Sequence, residues 1–355
     1  MYRRVIACIL ACLLLTTFAA CGESKTEGAV PADVQVEETA PEETPAVEVV
    51  PEPIVEEPVP VPDDFIVPGE GVRPVAVMID NEGSRVLPQG GLDKAQIVYE
   101  VVVEGGLTRL MPVFWGMDPE MIGPVRSSRD YFLDYSMEYD AIYVHFGWSP
   151  QAQADIPKLK INNINGLYVG NDVIWDLTKE KGNWQDSYTS MEKLLGYAQK
   201  KKYATTTQVK FPFSYNATAI TPESGEAASI VTLKYPEMTS KYEYDSETGL
   251  YKRFRYGKPH MERVSGKQLE TRNIIVQYVP NYSIKGDKAG RQEMDTTGNG
   301  SGYFITGGKA VKIKWSKESR RAQTKYTDEA GNLITLNRGQ TWIQIMPTTA
   351  KVTIE

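Results

Sequence analysis

Residues 22–66 restrict folding to the remainder of the chain. This segment holds thirteen acidic residues against a single lysine, so its net charge is −12, and prolines recur along it with no period of apolar residues. Such a segment cannot bury a hydrophobic core, and its prolines and its charge repulsion favour an extended chain. We therefore expect a disordered tether over residues 21–66 and folded structure only in residues 67–355.

The first twenty residues have the pattern of an export signal. Two arginines precede an apolar or small run over residues 5–18, which is short for a membrane-spanning helix. The run ends in FAAC, residues 18–21, which resembles the bacterial lipobox, where cleavage leaves a lipid-modified cysteine. We predict a signal peptide over residues 1–20, lipidation of Cys21 and a membrane anchor on the extracytoplasmic face. The alternative is an ordinary cleaved signal with an incidental cysteine.

Cysteine, histidine and charge exclude several classes of function. Cys8 and Cys12 lie in the predicted signal peptide, so Cys21 is the only thiol that remains, which excludes a disulfide or a catalytic cysteine. His145 and His260 are the only histidines, so a three-histidine metal site is impossible, and we expect neither a metal nor a cofactor. Taking the signal arginines and the tether from the total of −7 leaves +3, which argues against a nucleic-acid partner.

Hydrophobic patterns predict an α+β protein in two parts. Strand patterns over 71–79, 96–103, 107–115 and 141–146 alternate with helix patterns over 128–139, from 149 onward and over 190–202. Pro112 indicates an edge strand or a bulge. After residue 212 the strand patterns continue with little helical period. We predict an N-terminal mixed α/β domain with a central sheet over 67–212, a boundary over 213–228, and a smaller, mostly-β domain over 229–355.

Several segments resemble the YerB-like family of bacterial lipoproteins. They are RPVAVMIDN (73–81), LDKAQIVYEVVVEGGLTRLMPVF (92–114), IGPVRSSRDYFLDYSMEYDAIYVHFGWSPQA (122–152), GKPHM (257–261), NIIVQY (273–278) and GYFITGGKAVKIKWSK (302–317). The resemblance spans nearly all of residues 70–347. It implies a two-part extracytoplasmic protein on a lipid anchor, and it implies no particular reaction.

The segment IGPVRSSRDYF, residues 122–132, combines a helix start with two cations. Ser127 and Asp130 have the spacing of a capping box. Arg126 and Arg129 oppose the macrodipole of the predicted helix unless an anion offsets them. We expect an internal carboxylate to do so, and the alternative is a phosphate or carboxylate of a ligand. The internal candidates are Glu100, Glu104 and Asp134.

Other residues are candidates for catalysis. Glu100 and Glu104 lie in or beside an apolar strand, so we expect a partner such as Arg109, Arg126 or Arg129. His145 lies at the end of a strand, where ligands bind in open α/β sheets. Ser149 follows a strand in GWSPQ, which resembles a nucleophile elbow, but Pro150 removes the amide that an oxyanion needs. An N-cap role for Ser149 fits better.

Two hypotheses of function remain open. The first is a cell-envelope binding or accessory protein with an anionic or glycan ligand. Its candidate ligand-binding residues are Asn81, Arg109, Arg126, Arg129, His145 and Ser149. The second is a hydrolase of cell-wall glycan or an envelope ester, because two carboxylates are the minimum for such chemistry. Its candidate catalytic residues are Glu100, Glu104 and His145. Trp115, Trp148, Trp175 and Trp184 are either faces for stacking a sugar or parts of the core.

Overall fold

The computed structural model describes residues 65–178, 180 and 182–355. The predicted signal peptide, the lipidated Cys21 and all but the last two residues of the predicted tether lie outside the described residues. Helices are few and short. They are α1 (Asp130–Met137), α2 (Pro150–Lys158), α3 (Met191–Lys200) and two 3₁₀ turns, Leu92–Lys94 and Glu104–Gly106. None of the helices described has the length and apolar character that crossing a bilayer requires.

Strands form most of the regular structure. In chain order they are β1 (Val75–Val77), β2 (Ile79–Asp80), β3 (Ile97–Val102), β4 (Thr108–Phe114), β5 (Ile142–His145), β6 (Asn163–Asn165), β7 (Trp175–Asp176), β8 (Ser187–Tyr188), β9 (Ser214–Tyr215), β10 (Glu226–Ala227), β11 (Ile230–Lys234), β12 (Thr239–Asp245), β13 (Leu250–Arg255), β14 (Lys258–Pro259), β15 (Glu270–Thr271), β16 (Asn273–Val279), β17 (Asn281–Ser283), β18 (Gln292–Met294), β19 (Gly298–Thr306), β20 (Lys309–Lys317), β21 (Lys325–Thr327), β22 (Thr335–Leu336), β23 (Thr341–Pro347) and β24 (Lys351–Ile354).

A twelve-stranded mixed sheet runs through the protein. Its main order is β10-β20-β19-β16-β23-β3-β4-β1-β5-β6, with β2 on β4 and β21 on β20. Strand β23 is parallel to both β16 and β3, so Ile343 lies opposite Ile275 on one side and Tyr99 on the other. Because β23 and β3 are buried along their whole length, their apolar runs form the centre of the core.

A second sheet of six strands comes from the C-terminal part of the chain. Its order is β14-β13-β12-β11-β24, with β15 paired to β13. The alternating burial of β12 and β13 places one face of these strands against the interior. Mixed α/β structure with few helices and several sheets confirms the predicted fold class. Strands from both predicted domains join the twelve-stranded sheet, and the proposed division of the chain remains a prediction.

Two local predictions are wrong. Pro112 marks neither an edge nor a bulge, because β4 lies between β3 and β1 inside the large sheet and keeps an unbroken register with β3. The segment facing β4 is instead interrupted between β1 and β2, at Met78, whose amide bonds to Val144. Ser127 does not cap α1, because Arg129 is the N-cap and makes no side-chain capping bond. The chain before α1 is held extended by backbone hydrogen bonds such as Ser128 to Gly147 and therefore enters the helix two residues later.

Two helix starts were predicted correctly. Oγ of Ser149 accepts a hydrogen bond from the amide of Ala152 at 3.1 Å, with Pro150 as the first helical residue. Ser190 caps α3 in the same way through the amide of Lys193 at 3.3 Å. The cap at Ser149 was predicted from its position before Pro150, and the helix after Ser190 was predicted from its hydrophobic period. Both capping bonds close within three residues.

Candidate functional site

Five polar side chains form a closed hydrogen-bonded ring in the interior, called here the buried ring. They are Asn81, Gln89, Glu100, Arg253 and His260, and none is more than 1% exposed. Arg253 donates to Glu100 at 2.8 Å and to Nδ1 of His260 at 3.0 Å. His260 and Gln89 lie 2.6 Å apart, Gln89 donates to Asn81 at 2.9 Å, and Asn81 donates to Glu100 at 3.2 Å.

The buried ring fixes the protonation of His260. Nδ1 accepts from Arg253, so the ring proton lies on Nε2 and is donated to Gln89. Burial, followed by the charge of Arg253, lowers the pKa of His260 well below its usual value. The ring accordingly places two predicted site residues, Asn81 and Glu100, among bonded neighbours that are closed to solvent. The expected arginine partner of Glu100 exists, but it is Arg253 and not one of the three proposed.

His145 and Ser149 also lie in buried, bonded positions. Nδ1 of His145 donates to the carbonyl of Gly147 at 2.7 Å, and Nε2 lies 3.2 Å from the side chain of Asn163. Burial lowers the pKa of His145. His145 is fully buried and Ser149 is 1% exposed. The described structure therefore brings neither residue next to Glu104 in an open pocket.

A cleft of about 410 Å³, called here the arginine cleft, collects the charged candidates. It lies beside the buried ring, because Thr108 lines it while donating its hydroxyl proton to Glu100 at 2.8 Å. The charged residues that line it are Asp80, Glu82, Glu104, Arg109, Arg126, Arg129 and Arg291. Three of the six predicted ligand-binding residues thus share one opening.

Two of the three predicted arginines have internal carboxylates. Nε of Arg129 lies 2.5 Å from Glu104, as one of the internal alternatives predicted. Burial raises the pKa of Glu104, but the hydrogen bond and charge of Arg129 outweigh it, so the pKa lies below its usual value. Arg126 lies 3.0 Å from Asp80 and 4.0 Å from Glu82, which were not among the expected partners. The third expected anion, Asp134, instead pairs with Arg320 at 2.6 Å.

Arg109 differs from these two. It is 6% exposed, and in the described part of the chain no carboxylate lies within 4.0 Å of its guanidinium. Asp80, its neighbour on the adjacent strand, forms its ion pair with Arg126. Among the described residues, the Arg109 side chain makes one hydrogen bond, to the carbonyl of Ser127 at 2.7 Å. Burial, and then repulsion by Arg129 and Arg126, lowers the pKa of Arg109 to about 10, and the more distant charges of Glu104 and Asp80 offset this only in part.

A second opening of about 680 Å³, called here the aromatic cleft, adjoins the arginine cleft. Arg126 and Arg291 line both openings. The aromatic cleft adds the rings of Phe146, Trp148 and Trp184, and the Arg126 guanidinium lies 3.9 Å from the centre of the Trp184 ring.

Arg291 is the cleft arginine that sequence reasoning did not find. It precedes β18, pairs with Asp287 at 2.7 Å, and reaches to 3.9 Å from Glu104. No apolar period or turn motif around residue 291 signals a site. Its distance of more than 160 residues along the chain from Arg126 and Arg129 hides the contact.

Comparisons with known proteins cover both segments of the chain that contribute residues to the arginine cleft. Residues 67–204 match the N-terminal domain, and residues 231–343 the C-terminal domain, of the family described as "Protein of unknown function (DUF3048)". The chain is also 31% identical over 279 residues to the "Putative lipoprotein YerB" of Bacillus subtilis (strain 168), across 78% of this chain and 81% of that one. The chain belongs to the YerB-like family.

A solved structure from the YerB-like family shows the same fold. The crystal structure of the YerB protein from Bacillus subtilis matches with a TM-score of 0.70 at 29% identity, over 80% of this chain and 94% of that one. Within the family's two domains, Arg109, Arg126 and Arg129 belong to the N-terminal match and Arg291 to the C-terminal match. The arginine cleft is therefore built from both.

Proposed function

We propose that this protein is an extracytoplasmic lipoprotein, anchored in the membrane through Cys21, that binds an anionic ligand of the cell envelope in the arginine cleft. Binding, and not hydrolysis, is the activity that the cleft favours. Of the three catalytic candidates, Glu100 and His145 are fully buried and Glu104 is paired with Arg129. No observation on these residues favours the hydrolase.

The buried guanidinium of Arg109 carries the proposal. A cation removed from water without a carboxylate is costly, and replacing such a group by an apolar one is often neutral or stabilising. Arg109 nevertheless lines an open cleft beside two further arginines that raise the cost. An anion entering the cleft would supply the missing charge to Arg109 while the carboxylates of Arg126 and Arg129 stay in place.

The volume and construction of the cleft suit a small anionic group. About 410 Å³ accommodates a phosphate or a carboxylate with part of the molecule that bears it. Guanidinium groups bind both anions through paired, charge-assisted hydrogen bonds. Because β4, the segment before α1, and the turn before β18 each contribute an arginine, the donors approach from several elements and are held by the sheet.

The proposed membrane anchor is supported by the sequence and by the relationship to a Bacillus subtilis protein. FAAC at residues 18–21 resembles a lipobox, and the Bacillus subtilis relative is named a putative lipoprotein. An acidic, proline-rich tether would hold the cleft at a distance from the membrane surface. Envelope polymers lie in this space. The net charge of −12 on the tether would also keep it apart from anionic lipid headgroups.

Ligand-dependent thermal unfolding tests the binding. Full-length protein in detergent micelles is heated with inorganic phosphate, teichoic-acid fragments, muropeptides and sugar phosphates. A ligand at a hundred times its Kd stabilises the folded state by about 2.7 kcal/mol. We expect a stabilising anion, and loss of its effect in Arg109→Met. Arg85→Met, at an exposed arginine outside the cleft, is the matched control and keeps the effect. If no anion shifts the transition, or if Arg109→Met responds like the wild type, the proposal is wrong.

A further inference from the structure

The two clefts meet at a wall formed by Arg126 and Arg291. Each of these side chains has a buried Nε that makes no hydrogen bond in the described part of the chain. Nε of Arg126 lies 3.0 Å from Asp80, but its N–H does not point at the carboxylate in hydrogen-bond geometry. Buried donors without acceptors are uncommon in proteins. The wall between the clefts is therefore rich in unsatisfied donors, and both Nε atoms are closed to solvent in the unliganded protein.

The aromatic cleft presents apolar faces to solvent. Trp184 is 51% exposed and Leu167 is 54% exposed, and both line it. Beside them Tyr168, 70% exposed, contacts the Trp148 ring at a centroid distance of 5.8 Å. Single apolar side chains are commonly exposed on protein surfaces. A group of large ones at the mouth of a cleft is less common and indicates a binding surface.

Polar side chains accompany these rings. Gln153, Asp176 and Asn183 line the same cleft, and together they offer amide donors and carbonyl or carboxylate acceptors. An indole face with amides and a carboxylate around it matches a pyranose ring, which has apolar C–H faces and hydroxyl groups at its edge. The side chains of Asp176 and Asn183 already hold hydrogen bonds within the protein, and each keeps further capacity for a ligand hydroxyl.

We infer that the ligand is a phosphorylated sugar, with its phosphate in the arginine cleft and its ring against Trp184 and Trp148 in the aromatic cleft. This inference rests on the proposed anion site and names its substrate class. A phosphate suits the site better than a carboxylate, because four arginines line the cleft against three carboxylates. A carboxylate has two oxygens to share among the arginines, whereas a phosphate monoester has three that are free.

Titration calorimetry with four probes tests the inference on full-length protein in detergent micelles. The probes are inorganic phosphate, glycerol 3-phosphate, N-acetylglucosamine 1-phosphate and adenosine monophosphate. We expect the sugar phosphate to bind at least about tenfold more tightly than inorganic phosphate and glycerol phosphate, since stacking on aromatic rings contributes on that scale. We also expect it to bind more tightly than the nucleotide.

Variants assign the preference to the aromatic cleft. Trp184→Ala should reduce the advantage of the sugar phosphate over inorganic phosphate to about twofold or less. The ratio of the two affinities is the readout, because Trp184 also contacts Arg126 of the anion site. Tyr256→Ala is the matched control, because Tyr256 is 49% exposed and also covers an arginine, Arg255, but lines neither cleft. Thermal unfolding of both variants checks that they fold.

The possible results separate the two proposals. If inorganic phosphate and the sugar phosphate bind equally, the sugar assignment is overturned and the anion site stands. The same holds if the nucleotide binds most tightly, or if Trp184→Ala keeps the full preference. If none of the four probes binds, the anion site itself is wrong and the sugar assignment fails with it.

Discussion

Glu100 and Arg253 form an ion pair of 2.8 Å across 153 residues of sequence, and neither side chain is more than 1% exposed. Glu100 lies on β3 of the large sheet, and Arg253 lies on β13 of the second sheet. The pair is part of the buried ring and therefore links the two sheets to each other. The guanidinium of Arg253 also lies 4.1 Å from the centre of the Trp342 ring, on β23.

Removing one partner of this pair should destabilise the protein strongly. Glu100→Gln leaves the Arg253 charge buried without a counter-charge, and we expect a loss of about 3–5 kcal/mol in the free energy of unfolding, measured by chemical denaturation. Glu243→Gln, which breaks the more exposed pair with Lys241, is the control and should cost less than about 1 kcal/mol. Equal effects of the two substitutions would show that the buried pair does not hold the sheets.

Sequence predicted the need for an arginine beside Glu100 but not which arginine. Burial of a carboxylate in an apolar strand demands a counter-charge, and this argument is local. The identity of the partner depends on how β13 folds against β3, which no spacing in the sequence records. The same limit applies to Arg291, whose contact with the cleft exists only in the folded chain.

Local signals were reliable where nothing distant competes with them. Ser149 caps α2 as its position before Pro150 predicts, because the capping bond closes within three residues. Ser127 has an equally good capping pattern with Asp130, yet long-range backbone bonds hold its segment extended and move the helix start. Tertiary hydrogen bonds outweigh a cap that is worth about 1 kcal/mol.

In the unliganded protein, the Arg109 side chain should not contribute to the free energy of unfolding and should even lower it. We expect Arg109→Met to leave the free energy of unfolding within about 1 kcal/mol of the wild type or to raise it, because an unpaired buried cation is replaced by an apolar side chain. Arg129→Met is the matched comparison. It should lower the free energy of unfolding by about 1–3 kcal/mol, because it leaves the carboxylate of Glu104 without its counter-charge. Chemical denaturation without ligand measures both. A large loss in Arg109→Met would mean that Arg109 supports the fold and is not held for a ligand.

Lipidation should depend on Cys21 alone. In cells fed a labelled fatty acid we expect the full-length chain to carry the label and Cys21→Ala to lose it. Cys12→Ala is the control, because Cys12 lies within the predicted signal peptide and its loss leaves the lipobox-like FAAC intact. Label that persists in Cys21→Ala would refute the proposed anchor.

Asp134 should make stability depend on pH in mildly acidic solution. Its carboxylate accepts hydrogen bonds from Arg320 and Thr296, and Asp155 shares Arg320. Lys317 donates to the backbone carbonyl of Asp134. Burial, only partly offset by the Thr296 hydrogen bond and by Arg320, raises the pKa of Asp134 from 3.8 to about 6. The folded state therefore holds this proton more tightly than the unfolded state. The contribution of Asp134 is full below about pH 4 and is lost as the pH rises through about 6.

Asp134→Asn removes this titration while keeping a group that can bond to Thr296. Relative to the variant, the wild type should lose about 3 kcal/mol of stability between pH 4 and pH 7, at about 1.4 kcal/mol for each unit of pKa difference. Comparing the two proteins cancels His260, whose lowered pKa acts in the opposite direction over the same range. Parallel stability curves for wild type and Asp134→Asn would show that the pKa of Asp134 is not raised. A wild type that gains stability with rising pH relative to the variant would show that the attraction of Arg320 outweighs burial.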